Sequence, residues 1–127
     1  MSQENVETVR RNYDHLSKTG EPLADVCDEE IEFSFAWMEG RGFDGLQQAT
    51  AEWTSTFEEW HIEARELIEV GPDQVIAIVR DRARAKGSNA EIDNEFAHLW
   101  TLRDGLIIRF EAFTERAEAL EAAGLTE

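Results

Sequence analysis

The segment QVIAIVRDRARAKGSNAEIDNEFAHLWTL, residues 74–102, constrains the fold more than any other part of the chain. Two runs that alternate apolar and polar residues flank a glycine-containing break, the pattern of a β-hairpin. A two-residue turn at Gly87-Ser88, with Gly first as a type II′ turn asks, pairs Arg84 with Glu91, Arg82 with Asp93 and Arg80 with Glu95. Each opposite-charge pair contributes roughly 0.2–1 kcal/mol. A slip of one residue would lose all three, because it turns every side chain to the other face. The second face then pairs Asp81 with Asn94, Val79 with Phe96, Ala77 with His98 and Val75 with Trp100. That face is mostly apolar, yet it carries Asp81, Asn94 and His98. Burying such groups costs free energy unless they are paired or wetted, so the face belongs either to a satisfied core or to a ligand cavity.

The remaining elements follow from periodicity. Val6, Val9, Tyr13 and Leu16 recur at steps of three and four and predict a helix that Gly20 and Pro22 close. Leu23–Asp28 reads as a short helical turn, and IEFSFAW (31–37) alternates as a strand. EGRGFDG reads as a loop with Asp44 as N-cap, followed by a long helix carrying Leu46, Ala49, Trp53, Phe57 and Trp60. HIEARELIEV, QVIAIVRDRARA, AEIDNEFAHLWTL and LIIRFEAF read as four successive strands joined by GPD, KGSN and RDG turns. Thr114 can cap a last short helix with Ala117, Leu120 and Ala123, and Gly124 suits its C′ position. The fold class is α+β, a bent antiparallel sheet with helices gathered on one face, in a single domain over residues 1–127.

Composition excludes several functions. With 12 Lys+Arg against 28 Asp+Glu the net charge is −16, which speaks against nucleic acid or an anionic membrane as partner. One cysteine, Cys27, rules out an internal disulfide, and His15, His61 and His98 sit on separate elements without metal-ligand spacing. No metal or cofactor is expected. The N-terminal MSQENVETVRR has no apolar h-region and no run nears ~18 apolar residues, so the expected location is cytoplasmic.

Of the polar groups on the inner face, His98 is the first candidate for catalysis, since an imidazole near its ordinary pKa of ~6.5 can give or take a proton at neutral pH. Asp81 is the second, as a carboxylate on an apolar wall. They lie four residues apart in register, roughly 13 Å along the strand, which predicts two separate polar points. A two-residue turn at Asp104-Gly105 would set Glu111 opposite His98, and a three-residue turn would set Phe110 there. Trp100 shares the face of His98 and reads as pocket wall. Trp37, Trp53 and Trp60 read as core.

The element order, the hairpin LRDGLIIRFEAF and the closing ERAEALEAAGL resemble the SnoaL-like branch of the nuclear transport factor 2-like (NTF2-like) superfamily. The resemblance implies a cone: a strongly curved antiparallel sheet wrapped on three N-terminal helices, a short C-terminal helix, and an apolar pocket inside. It implies homodimers through the outer sheet face, here Ala97, Leu99, Thr101 and their last-strand neighbours. Members include polyketide cyclases, ketosteroid isomerases, epoxide hydrolases and pocket proteins with no known reaction. By the same resemblance, His98 falls where the isomerases hold a protonated Asp that donates to the substrate oxygen. Ser34 falls near their general base, Asp81 on a usually apolar wall position, and Tyr13 one position from a pocket tyrosine. The isomerase carboxylate pair is absent, which argues against plain steroid isomerase chemistry. The cyclase branch uses one acid/base residue, a role open to His98 or Asp81. Tyr13, Ser34, Val79, Asn94, Phe96, Trp100 and Phe110 complete the expected ligand contacts.

Two functions stay open. One is a cofactor-free cyclase or isomerase that moves a proton next to a carbonyl of an apolar, ring-bearing molecule. The other is a non-catalytic binding or dimerisation module of the same fold. A cavity of a few hundred Å³ reaching His98 would favour the first, and a core plugged by aromatics the second.

Overall fold

The computed structural model describes residues 2–125. The chain runs α1 (Ser2–Thr19), a single 3-10 turn (Ala24–Val26), β1 (Cys27–Phe35), β2 (Met38–Arg41), α2 (Phe43–Thr54), β3 (Phe57–Val70), β4 (Gln74–Ala85), β5 (Glu91–Arg103), β6 (Leu106–Phe113) and α3 (Arg116–Ala122). One six-stranded sheet has the order β2-β1-β6-β5-β4-β3. The α+β cone is as expected, but the sheet is mixed: β1 runs parallel to β6 and every other pair is antiparallel. The third of the expected N-terminal helices is only the 3-10 turn.

The β4–β5 register is the one the charge ladder demands, with Arg84 opposite Glu91, Arg82 opposite Asp93 and Arg80 opposite Glu95. The turn itself differs. Ser88 N–H donates to Ala85 O (3.3 Å), so the turn spans Ala85–Ser88 with Gly87 third, at φ +70°. Register survives because Ala85 N–H still pairs with Ala90 O (3.2 Å), as a two-residue turn would also have placed it. The charges interlock partly on the diagonal, with Glu59 directly opposite Arg84. Arg80 grips Asp93 through Nε (2.9 Å) and Nη2 (2.6 Å), while Arg84 turns to Glu58 (3.3 Å) and Glu59 (3.0 Å) on β3. Sheet twist brings such diagonal neighbours within reach of long side chains.

Three helix boundaries are corrected. The helical spacing of α2 runs on through Phe57 and Trp60, but the helix stops at Thr54 and both aromatics belong to β3. Three consecutive hydroxyls end it: Thr54, Ser55 and Thr56 donate to the carbonyls of Ala51 (3.2 Å), Glu52 (2.8 Å) and Trp53 (2.7 Å), which takes up acceptors the next turn would need. Its N-cap is Gly42 rather than Asp44. In α3 the N-cap is Glu115 rather than Thr114, and both its N–H and the Thr114 hydroxyl donate to Glu118 Oε1. Gly124 takes the C′ position as expected, with its N–H on Glu121 O and that of Leu125 on Leu120 O.

Strand β1 ends at Phe35, and Ala36-Trp37 is the tight turn into β2, part of the expected loop. Trp37 is therefore 69% exposed, not core; its ring leans on Trp53.

The sheet has a core on each face. Val9, Ile31, Leu46, Val75, Val79 and Ile107 join α1 and α2 to the concave side. On the convex side Ile76, Ile78, Ala97 and Leu99 are covered by Ala119 and Leu120 of α3 and by its C-cap Ala123. The apolar outer patch is thus largely buried within one chain. Register shifts bend the sheet, between Phe57 and Glu59 and between Ala64 and Glu66 in the edge strand β3 and around Ile108 in the interior strand β6. Asn12, 1% exposed, spans the core to accept from Leu23 N–H (2.8 Å), a link that periodicity alone did not signal. Leu99→Ala is expected to cost about 2–5 kcal/mol in urea unfolding, since it opens a hole under α3.

Candidate active site

Strand parity carries His98 to the concave face. Its imidazole meets Tyr13, which the helical period of α1 turns inward from the other wall. Tyr13 Oη lies 2.7 Å from His98 Nδ1 and 2.8 Å from Trp100 Nε1. An indole N–H can only donate, so Tyr13 oxygen accepts from Trp100. The His98 tautomer that leaves no proton of this chain without an acceptor is the one in which Tyr13 donates its own proton to Nδ1. The histidine is thereby held neutral, with its proton on Nε2. Burial acts the same way, pushing the His98 pKa down to about 3, and burial raises that of Tyr13 well above its usual value. Burial thus moves the imidazole away from the neutral range expected of it. His98 instead presents a fixed N–H donor, and Nε2 has no protein partner among the described residues.

The RDG hairpin resolves differently from both alternatives. Asp104 (φ +53°) and Gly105 (φ +82°) form a two-residue turn between Arg103 and Leu106, but the bulge at Ile108 then adds one residue on β6. His98 consequently faces Ala112, and Trp100 faces Phe110. Glu111 turns to the convex side, 3.4 Å from Arg109. Phe110 still reaches the imidazole diagonally, its ring edge-on to His98 at 4.9 Å and stacked on Trp100 at 4.4 Å.

His98 lines a cavity of about 140 Å³ between α1, α2 and the concave sheet. Phe96, Phe110 and Asp81 line it as expected, together with Leu16, Phe35, Thr50, Trp53, Trp60, Ile62, Ala112 and residues near the β1 and β6 ends. Phe35, Trp53 and Trp60 had read as core or plain strand positions, and nothing in a spacing tells a cavity wall from a packed one. Tyr13 and Trp100 stand behind His98 rather than in the cavity wall. Val79 is fully buried in the core, while Ser34 and Asn94 are exposed outside the cavity. For Ser34 the reason is parity, since Phe33 and Phe35 take the inner side. Asn94 lies opposite Asp81 in register but at the exposed end of β5, so it gives the carboxylate no hydrogen bond.

Asp81 is 7% exposed, and burial pushes its pKa up to about 6. The nearby indole N–H of Trp60 offsets part of that rise, although Trp60 Nε1 and Asp81 Oδ1 do not meet in hydrogen-bond geometry and both are buried without a partner. Asp81 and His98 do not bond each other, and both face the same space. Among the described residues no cluster of His, Cys, Asp or Glu could hold a metal, and no helix is long and apolar enough to cross a membrane.

The two groups pull stability in opposite directions. Asp81, raised from 3.8 to about 6, contributes stability below pH 3.8 that is lost as pH rises to about 6. His98, lowered from 6.5 to about 3, contributes stability above pH 6.5 that is lost as pH falls to about 3. Between about pH 4 and 6 the two slopes oppose each other, each at most ~1.4 kcal/mol per pH unit. Asp81→Asn should therefore gain stability relative to the wild-type chain as pH rises through that window, read by urea unfolding at a series of pH values.

The comparisons agree with this architecture. No curated protein matches the sequence. A SnoaL-like polyketide cyclase from Jannaschia is 20% identical, with 99% of this chain and 95% of that chain covered and a TM-score of 0.77. An NTF2-like protein of unknown function from Burkholderia pseudomallei is 16% identical, with 93% and 95% covered and a TM-score of 0.77. A protein with a ketosteroid isomerase-like fold from Catenulispora acidiphila, solved in complex with trimethylamine, is 17% identical, with 94% and 93% covered and a TM-score of 0.75. These likenesses are of fold. The family model of the SnoaL-like domain matches residues 9–110, and the chain belongs to that family.

Proposed function

We propose that the cavity binds a small, single-ring carbonyl compound and moves a proton at the carbon beside the carbonyl, without a cofactor. The observation that carries this reading is the pairing of unlike groups in one apolar space: a carboxylate whose pKa burial brings to about 6, and an imidazole fixed as a donor. His98 Nε2–H would hold the carbonyl oxygen and stabilise the charge that grows on it as the enolate forms. Asp81 would take the carbon-bound proton and return it at the neighbouring position or to a cyclising carbon. The Tyr13–Trp100 relay behind the imidazole keeps that donor from turning away. At about 140 Å³ the cavity is smaller than the few hundred Å³ expected of an enzyme pocket, and size limits the substrate. An apolar cavity of ~150 Å³ holds about one benzene-sized ring, so a multi-ring molecule would need the walls to move.

A second reading is a binding site without chemistry. The specific observation in its favour is a carboxylate among Phe35, Trp53, Trp60, Phe96, Phe110 and Phe113 with no cationic side chain in the lining. Such a box attracts an organic ammonium, and the Catenulispora relative was solved with trimethylamine.

Deuterium exchange at the α-carbon of cyclohexanone, followed by NMR, separates the two. Catalysed exchange should rise with pH through about 6, as Asp81 ionises, and then level off. Asp81→Asn and His98→Phe should each lower it by about 10²-fold or more. No exchange, with trimethylammonium raising the melting temperature, would reject catalysis in favour of binding alone.

Self-association across the convex face belongs to the same proposal. Its driving force is smaller than the sequence suggests, because α3 already covers Ala97 and Leu99. Light scattering at micromolar concentration checks it, a dimer mass supporting the pairing and a monomer mass rejecting it.

A further inference from the structure

Two orphaned atoms in the cavity wall remain to be accounted for. Trp60 Nε1 and Asp81 Oδ1 are both sealed from solvent, and among the described residues neither has a partner. Buried polar atoms are rarely left so, because each costs about as much as the hydrogen bond it forgoes. The two are complementary, one a pure donor and the other an acceptor. They are also neighbours by construction. Trp60 pairs with Ala83 and Ile62 with Asp81, so Trp60 and Asp81 are diagonal residues on the concave face of β3–β4, within the reach of an aromatic side chain. The other cavity hydroxyls are already engaged, Thr50 on Leu46 O (2.8 Å) and Thr114 on Glu118 (3.0 Å). His98 and Tyr13 are the titratable groups that face Asp81 from β5 and α1, and both are neutral across the working range.

We propose that Trp60 is the positioning residue of Asp81: its indole N–H closes on Oδ1 of the ionised carboxylate and leaves Oδ2 aimed into the cavity. The proposal rests on the reading of Asp81 as the proton-carrying group of this site. The indole already stands close enough to lower the Asp81 pKa, and the bond is stronger to a carboxylate than to a neutral carboxyl. The latch is therefore tied to the protonation state: open on the acid, closed on the base. It would keep the carboxylate from swinging between the ring faces of the cavity, and it leaves one oxygen free for substrate. Without the indole donor, the same carboxylate would be held only by its own torsions among hydrocarbon.

The test needs no substrate. In the assigned spectrum of the wild-type protein, the Trp60 indole N–H signal should move downfield as pH rises from about 4 to 8, with the midpoint of the Asp81 carboxyl carbon. Asp81→Asn should abolish that movement. In Trp60→Phe the Asp81 midpoint should rise by about one unit, since a donor to the charged form is lost. The direction is diagnostic: a Trp60 that merely fills space would, on truncation, let water in and lower the midpoint. An indole signal that ignores pH, or a midpoint unchanged or lowered in Trp60→Phe, overturns the proposal. Because the wild-type titration uses no variant, a poorly folded Trp60→Phe leaves the proposal testable. Failure here would leave ketone exchange by Asp81 intact, and failure of exchange would leave the titration intact, so the two ideas fall separately.

Discussion

The two-residue repeat of the β4–β5 hairpin is the constraint on which the site depends. Once Arg80, Arg82 and Arg84 are committed to one face, Asp81, His98 and Trp100 are committed to the other. The charged side binds its neighbours across three strands and stays in water. The other side bends over α1 and α2 and becomes the inside of the cone. A shift by one residue would put guanidinium groups among Val75, Val79 and the helix residues, which desolvation forbids. Chemistry and solubility are thus set by the same parity.

Within the cone the polar groups meet burial in two contrasting ways. Around His98 every polar atom behind the ring is satisfied, because Trp100 donates to Tyr13 and Tyr13 donates to Nδ1. The result is a rigid donor with a depressed pKa, a group that does not change charge. Around Asp81 satisfaction is incomplete, and the carboxyl is left with a raised pKa and an unpaired oxygen. A fully bonded network holds geometry, and a partly bonded one holds reactivity. Placing one of each in a single apolar cavity is what separates this site from a plain core.

The aromatic residues that surround these groups have mixed duties. Phe110 stacks on Trp100 and stands edge-on to the imidazole, so it fixes the ring from the cavity side while Tyr13 fixes it from behind. Trp37, by contrast, rides on the β1–β2 turn, 69% exposed, and leans on Trp53. The difference arises from the chain turning at Ala36, with φ +54°, one residue before the strand pattern would have carried Trp37 inward.

By itself the sequence determined five of the six strands, their principal register, the family, and the inward direction of His98 and Asp81, because these follow from periods of two and of three to four that neighbouring residues enforce locally. Ser34 and Asn94 show the limit of that reading. One was placed by likeness to a family and the other by register alone, and neither period nor register states where the cavity ends along a strand. Tertiary structure alone decided the rest. The bulge at Ile108 chose Ala112 as the partner of His98, three hydroxyls stopped α2 before Phe57, and α3 covered the convex face. The tautomer of His98 was also beyond local reach. It is set by a tyrosine 85 positions earlier and a tryptophan beside it, which only the closed cone brings within a hydrogen bond of one another.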